Sequence, residues 1–262
     1  MRRKSEIAKK IKPVARTSTS GSWAVYGRAG TGKTTFAGSF PKPILLLDVK
    51  DNGTASVIDI EQIDVISIES CEEIEDVFWF LEENPKKYRT VVIDTVSQWQ
   101  QLKVEEVASG KNLKGKAPGD WGSMTKGDWG DVASYLKTWI TNFRDLPMET
   151  VFLAQDRTFN FEDEVSDDQD LSPEVGPRLS PSVSAHLCAA VSVIGNTFIR
   201  SRTVKKKIGS KRKEVQRIEY CLRLGPNSVY ITKMRKPKSV ELPNEVVNPT
   251  FDDLITLSEG ED

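Results

Sequence analysis

Histidine is almost missing from this chain: His186 is the only one in 262 residues. That removes Ser-His-Asp triads and histidine-ligated metals from the functions open to it. It leaves His186 as a structural residue at a helix end. Cysteine is nearly as scarce. Cys71, Cys188 and Cys221 are odd in number and far apart. They fit neither a disulfide framework nor a metal site, and point to a reducing cytoplasm. No apolar run approaches the roughly 20 residues of a membrane span, so no membrane partner is expected. The charged N-terminal stretch is not followed by the apolar segment of a secretion signal. The chain has no internal repeat, and its net charge is only −1, from 37 basic and 38 acidic residues.

That balance conceals an uneven distribution. Arg2, Arg3, Lys4, Lys9, Lys10, Lys12 and Arg16 make residues 1–20 a basic arm, expected to be partly disordered, ahead of one domain over 21–262. Residues 162–174 are acidic. Arg200 to Lys238 is strongly basic, opposed only by Glu214 and Glu219. Such asymmetry points to a polyanionic partner, although charge runs also serve as solvated faces.

What the chain does have is Gly27-Arg28-Ala29-Gly30-Thr31-Gly32-Lys33-Thr34-Thr35. This is the G-x-x-x-x-G-K-[ST] spacing of a loop that wraps a nucleotide's phosphates. Ser22 to Tyr26 before it reads as a buried strand, and Thr34 to Phe40 after it as the opening of a helix. The glycines let the backbone curl until its N–H groups face one point. Lys33 would reach the β- and γ-phosphates of ATP, and the Thr34 hydroxyl would bind Mg²⁺.

Apolar runs ending in polar residues follow. Ile44 to Asp48 and Thr90 to Asp94 read as strands buried on both faces, as does Val151 to Gln155. Val65 to Ile68 is a shorter strand. Ser70 and Glu73 form a capping box ahead of the stripe Ile74, Val77, Phe78, Leu81. Thr95 to Ala108 and the stretch from Val132 to Phe143 have helical spacing. Residues 109–130 and 159–178 read as long loops, which in compact domains tend to be functional. Val191 to Val204 and Val215 to Leu224 read as two strands around the basic tip Lys205 to Lys213. Val229 to Lys233 is a last strand and Phe251 to Leu257 a terminal helix. The alternation implies a mainly parallel α/β sheet flanked by helices, with its site at the strand C-termini and an antiparallel hairpin near the end.

On that sheet Asp94 occupies the place of a carboxylate that holds Mg²⁺ through water, opposite Thr34. Asp48 and Asp51 are candidates to orient the attacking water. Gln155, a neutral amide at a strand end, could sense the γ-phosphate and shift the loop after it.

The order of these parts resembles the RecA-type recombinase core. That family has a phosphate loop of this shape, an acidic strand end, a second acidic strand followed by Ser or Thr, and a first DNA loop. A strand ending in Gln with Arg close behind, and then a second DNA loop, complete its pattern. Gly27 to Thr35, Ile44 to Asp51, Val91 to Thr95, residues 109–130, Val151 to Arg157 and residues 159–178 take those places in order. The short chain is most similar to the phage-encoded RecA-like single-strand annealing ATPases. The resemblance implies an ATPase dependent on Mg²⁺ that binds single-stranded DNA as a homo-oligomeric ring or filament. It also implies ATP between subunits and a single-stranded-DNA-binding protein as a partner. Two departures stand out. Lys50 holds the place where the family usually has its water-orienting Glu, with Asp51 adjacent, and residues 162–170 make the second loop acidic.

The DNA contacts are therefore expected elsewhere. Lys111, Lys114, Lys116 and Lys126 surround Trp121 and Trp129; charge would track the strand while rings stack on bases. Arg157 and the tip residues Lys205, Lys206, Lys207, Lys211, Arg212 and Lys213 add further cations. Lys233 and Arg235 match a pair that RecA-like assemblies often point into a neighbour's ATP. A helicase or helicase-loader motor is the alternative on the same core, and a small-molecule P-loop kinase a more distant one.

Overall fold

The computed structural model describes residues 21–51, 53–109, 124–159, 174–208 and 211–259, with backbone alone for 205–208, 211–213, 215 and 259. Lys111, Lys114, Lys116, Trp121 and the acidic stretch 162–170 lie outside the described residues, as does the arm over 1–20.

The strands are β1 (Ser22–Gly27), β2 (Ile44–Val49), β3 (Ile63–Ile68), β4 (Thr90–Asp94), β5 (Glu149–Ala154), β6 (Asp156–Phe159), β7 (Glu174–Pro177), β8 (Val193–Ile208), β9 (Lys211–Arg223), β10 (Lys233–Met234) and β11 (Glu245–Val247). The helices are α1 (Lys33–Ala37), α2 (Cys71–Glu83), α3 (Val96–Ser109), α4 (Lys126–Arg144), α5 (Pro181–Ala190) and α6 (Phe251–Glu259), with a 3₁₀ turn at Gly53–Val57. Among the described residues, nine strands make one sheet in the order β11-β9-β8-β1-β5-β4-β2-β3, with β10 also on β8; β6 and β7 form a separate antiparallel pair. The β3-β2-β4-β5-β1-β8 portion is parallel. The hairpin β8–β9, with β10 and β11, is antiparallel. This is the expected α/β class with a C-terminal antiparallel hairpin.

Strand alternation sends side chains to two cores. Leu45, Leu47, Val91 and Ile93 face a core that also holds Ile74, Leu81, Trp99, Leu136 and Leu187, from α2 to α5. Ile44, Leu46, Val92 and Val151 face the other, with Phe36 and Phe40 at α1 and Leu254 of α6. Continuous apolar runs are thus what the strands need, because neither face meets water. Glu149 anchors the start of β1: its carboxylate accepts from the Gly21 N–H at 2.8 Å and the Trp23 indole N–H at 2.7 Å.

Several expectations need correction. Lys126 and Trp129 are not in a loop; they open α4, whose N-cap Thr125 and Asp128 form a reciprocal capping box. The expected box at Ser70 is only half made. Ser70 accepts from the Glu73 N–H, but the Glu73 carboxylate takes the N–H of Glu69 instead. The ends of the second expected loop pair as β6 and β7, in register from Asp156–Pro177 to Phe159–Glu174. The strand expected over 229–233 shrinks to Lys233–Met234, and Tyr230 makes a single parallel bridge to Val175. The 205–213 stretch is mostly strand, not tip, since β8 and β9 remain paired out to Ile208–Lys211. His186 lies within α5, not at its end, with Nε2 3.0 Å from the Thr141 hydroxyl. Of α5 only a helix end at His186 was expected, and β11 was not expected at all.

Candidate nucleotide-binding site

The phosphate loop leaves the C-terminal end of β1, where the chain must turn sharply into α1. Gly30 and Gly32 take φ of 77° and 86°, a region that L side chains rarely occupy. Gly27 is required for another reason. A Cβ there would stand 2.3 Å from the Thr197 hydroxyl and 2.4 Å from the Thr197 carbonyl of β8. Thr197 also bonds the Thr31 hydroxyl at 2.7 Å and donates to the Tyr26 carbonyl at 3.3 Å, so β8 braces the loop from behind. Sequence reasoning missed Thr197; nothing near it in the chain marks its role.

Lys33 is buried, and its ammonium donates to the carbonyls of Gly27 at 2.9 Å and Arg28 at 3.0 Å. Burial lowers its pKa, while the carboxylates of Asp94, Asp51 and Asp156 pull the other way. The Thr34 hydroxyl donates to Asp94 Oδ2 at 2.7 Å. Burial pushes Asp94 up to about 6 from 3.8, against the Thr34 hydrogen bond and with the Asp51 charge adding to the rise. Its other oxygen, Oδ1, is buried with no hydrogen-bond partner. Gly53 leaves the space between these groups open: a Cβ there would be 3.7 Å from Asp51 Oδ2 and Asp94 Oδ2 and 3.8 Å from Thr34 Oγ1.

An orphaned carboxylate oxygen, a hydroxyl and a second carboxylate around one opening suit a hard cation. Mg²⁺ is commonly held by one or two carboxylates together with substrate phosphates. Among the described residues no cluster of three or more His, Cys, Asp or Glu forms a cage of its own. The residues therefore fit a metal that arrives with the nucleotide.

Lys50, which holds the family's Glu position, sits at φ 53°, in the left-handed region. Its side chain swings out to Glu105 on α3, at 3.7 Å. The next residue, Asp51, lines the nucleotide cavity, and its N–H donates to Asp48 Oδ1 at 3.1 Å. Asp48 itself is buried at the end of β2.

The cavity over the loop has a volume of about 730 Å³, within the range of small-molecule sites. Its lining includes Gly30 to Phe36, Asp51, Gly53, Gln155, Thr197, Tyr220 and the turn Asn248-Pro249-Thr250. Tyr220 and the turn were also missed, although Asn-Pro is a turn signal. Asn248 has φ 48°; its N–H donates to the Tyr220 carbonyl at 2.6 Å and its Oδ1 accepts the Tyr220 N–H at 3.3 Å.

Gln155 follows β5, the strand between β1 and β4. Its side-chain oxygen accepts from the Arg178 guanidinium at 2.7 Å, and its N–H donates to Ser97 Oγ at 3.1 Å. It therefore borders a second, polar cavity with Gln98, Gln101, Arg157 and Arg178. Trp129 and Arg157 share a third cavity with Ser180 and Ser182. The structure so brings together two of the expected nucleic-acid residues, while Lys126 stays on the exposed first turn of α4. The side chains of Lys205, Lys206, Lys207, Lys211, Arg212 and Lys213 lie outside the described set.

Lys233 and Arg235 lie elsewhere. β10 pairs with the first residues of β8, at the sheet edge opposite the phosphate loop. Lys233 donates to the carbonyls of Cys188 and Ala189 at 2.8 and 3.2 Å, holding the end of α5. The Arg235 N–H donates to the Ser192 carbonyl at 3.1 Å, while its guanidinium makes a 3.5 Å contact with the Ala189 carbonyl.

Fold and loop together define a P-loop nucleotide-binding domain of the α/β class. Residues 21–236 match the family model described as the AAA domain, and the chain belongs to that family. Two solved structures are similar in shape. One is a KaiC-like protein from the hyperthermophilic archaeon Pyrococcus horikoshii OT3, 10% identical, covering 88% of this chain and 90% of its own, with a TM-score of 0.42. The other is the RadB recombinase, 12% identical, covering 77% and 87%, also with a TM-score of 0.42. No curated protein sequence matches the chain. The chemistry of the site rests on its own residues.

Proposed function

We propose that this is an ATP-binding and ATP-hydrolysing protein that binds single-stranded DNA and promotes annealing or recombination as a multimer. The carrying observation is the convergence of Lys33, Thr34, Asp51 and Asp94 on one opening beside the phosphate loop. Lys33 would exchange its two carbonyl partners for β- and γ-phosphate oxygens. Thr34 and Asp94 would hold Mg²⁺, which when bound offsets phosphate charge. Asp51, steadied from Asp48, would orient the attacking water. Gln155 would read the γ-phosphate and release Arg178 towards the polar cavity that contains Arg157. Arg157 also lines the neighbouring cavity with Trp129, and an indole beside a guanidinium suits a stacked base and a phosphate backbone.

For an assembly with ATP between subunits, the geometry favours Arg235 over Lys233. Both are far from their own chain's loop, so a nucleotide contact would have to come from a neighbour. The Arg235 side chain is exposed and weakly held, whereas that of Lys233 is committed to α5. The test is an ATPase assay with and without single-stranded DNA. Turnover should rise with DNA and fall in Arg235→Ala in proportion to lost assembly. A basal rate that DNA leaves unchanged, in a protein that also ignores oligonucleotides, would end this reading.

A further inference from the structure

The outer part of the β8–β9 hairpin stands clear of the sheet. β1 supports β8 only as far as Thr197, and β11 supports β9 only over Cys221 to Arg223. Beyond these, among the described residues, the strand partners of 198–208 and 211–220 are each other, with Tyr220 at the base also bonded by Asn248. At about 3.3 Å per residue this arm is roughly 35 Å long. Because β8 runs parallel to β1, the arm leaves the sheet at the edge where the phosphate loop begins. A free two-stranded ribbon is marginal in water, so what its faces carry matters.

One face of the arm carries Ile199, Ile218 and Tyr220. On the other, Arg200 stands opposite Glu219 and is held by it and by Glu245, which neutralises that position within the chain. The next pair outward on this face is Arg202 directly opposite Arg217. Both are exposed, and neither has an ion pair among the described residues. Like charges directly opposite on a ribbon are destabilising, and their Cβ atoms are about 5 Å apart. Two guanidinium forks that close match one phosphate held from both sides.

The same face leads back to the polar cavities. Asn196 and Tyr26 are register partners on parallel strands and so share a side of the sheet. On that side Arg223 lies 4.2 Å from the Tyr230 ring centre, and Tyr230 bridges Val175 of the β6–β7 pair that bears Arg157. We infer that Arg202 and Arg217 form a phosphate-binding pair for single-stranded nucleic acid running along this face of the arm. The inference rests on the proposed DNA-binding reading and extends it to two residues that reading did not need.

The test is fluorescence anisotropy with labelled oligodeoxythymidylate across a salt series. Removing the one phosphate contact, at about 0.7, should flatten the log–log salt slope by about 0.7, which is roughly 5-fold in affinity at 0.1 M salt. Arg202→Gln/Arg217→Gln should show this loss with a melting temperature equal to or above wild type, since it relieves repulsion. Gln216→Ala, on the other face, should leave the slope unchanged. A double variant that binds with wild-type affinity and slope overturns the pair and leaves the DNA-binding reading intact. A wild-type protein that binds no oligonucleotide overturns both. Retention of polyglutamate but not oligonucleotide also overturns the pair, since the arm would then serve an acidic protein.

Discussion

Gly27→Ala should be costly out of proportion to one methyl group. The added Cβ would lie 2.3–2.4 Å from Thr197 Oγ1 and carbonyl O, about 1 Å inside a close C···O contact of about 3.3 Å. β1 sits between β5 and β8 with backbone pairing on both sides, so it cannot step aside. Overpacking typically costs about 1–3 kcal/mol, and a clash against backbone belongs at the top of that range. For a chain of this size, about 3 kcal/mol lowers the melting temperature by roughly 6–12 °C. Gly30→Ala is the informative contrast. Nothing lies within 4 Å of its would-be Cβ, so its only penalty is φ of 77°, about 1–2 kcal/mol. Thr197→Ala should not rescue Gly27→Ala, because it removes the hydroxyl and leaves the carbonyl. Scanning calorimetry of the four proteins decides the matter. A Gly27→Ala protein melting within about 1 °C of wild type, or full rescue by Thr197→Ala, would refute the account of how β8 shapes the loop.

Lys33→Ala should abolish the thermal shift from ATP, which in wild type at one hundred times Kd amounts to about 2.7 kcal/mol; an undiminished shift would mean that the nucleotide binds elsewhere. Asp51→Asn should lower kcat about 10²- to 10³-fold with KM nearly unchanged, and wild-type turnover in that variant would remove Asp51 from the chemistry. Arg178→Ala should leave ATP affinity intact but weaken its coupling to oligonucleotide binding, read by titrating one ligand at fixed levels of the other. Burial pushes the Cys71 thiol up to about 12 from 9.0. The folded chain then keeps a proton that the unfolded chain loses, so this contribution to stability is complete below about pH 9. It declines towards pH 12 by about 1.4 kcal/mol per pH unit. Urea midpoints at pH 8 and 10.5 should show the fall, and Cys71→Ala should flatten it.

The phosphate loop and the strands were legible because each is local. A spacing of glycines before Lys33, or an apolar run closing on Asp94, carries its meaning within about ten residues. The same holds for the stripe Ile74, Val77, Phe78, Leu81, all buried. Failures occurred where the partner is distant in sequence. Thr197 is 166 residues from Thr31, which it touches, and the Asn248 turn reaches the cavity through distant bonds, to Tyr220 of β9 and from Phe251 to Ser39. The extent of helix α5 was not legible, because Pro181 opens it and its sequence lacks a clear apolar stripe. Lys50 shows a subtler limit. Its position pointed to a missing base, but a left-handed residue re-aims the backbone so that its neighbour faces the cavity instead.

The placement of the indoles has a practical consequence. Trp23 and Trp99 are buried in the two cores, and among the described residues no tryptophan lines the nucleotide cavity. Trp129 is half-exposed beside Arg157, across Gln155 from that cavity. Emission from the described indoles should thus be largely blind to adenine and responsive to whatever settles near α4, giving the molecule an optical channel of its own for watching strand capture without a dye.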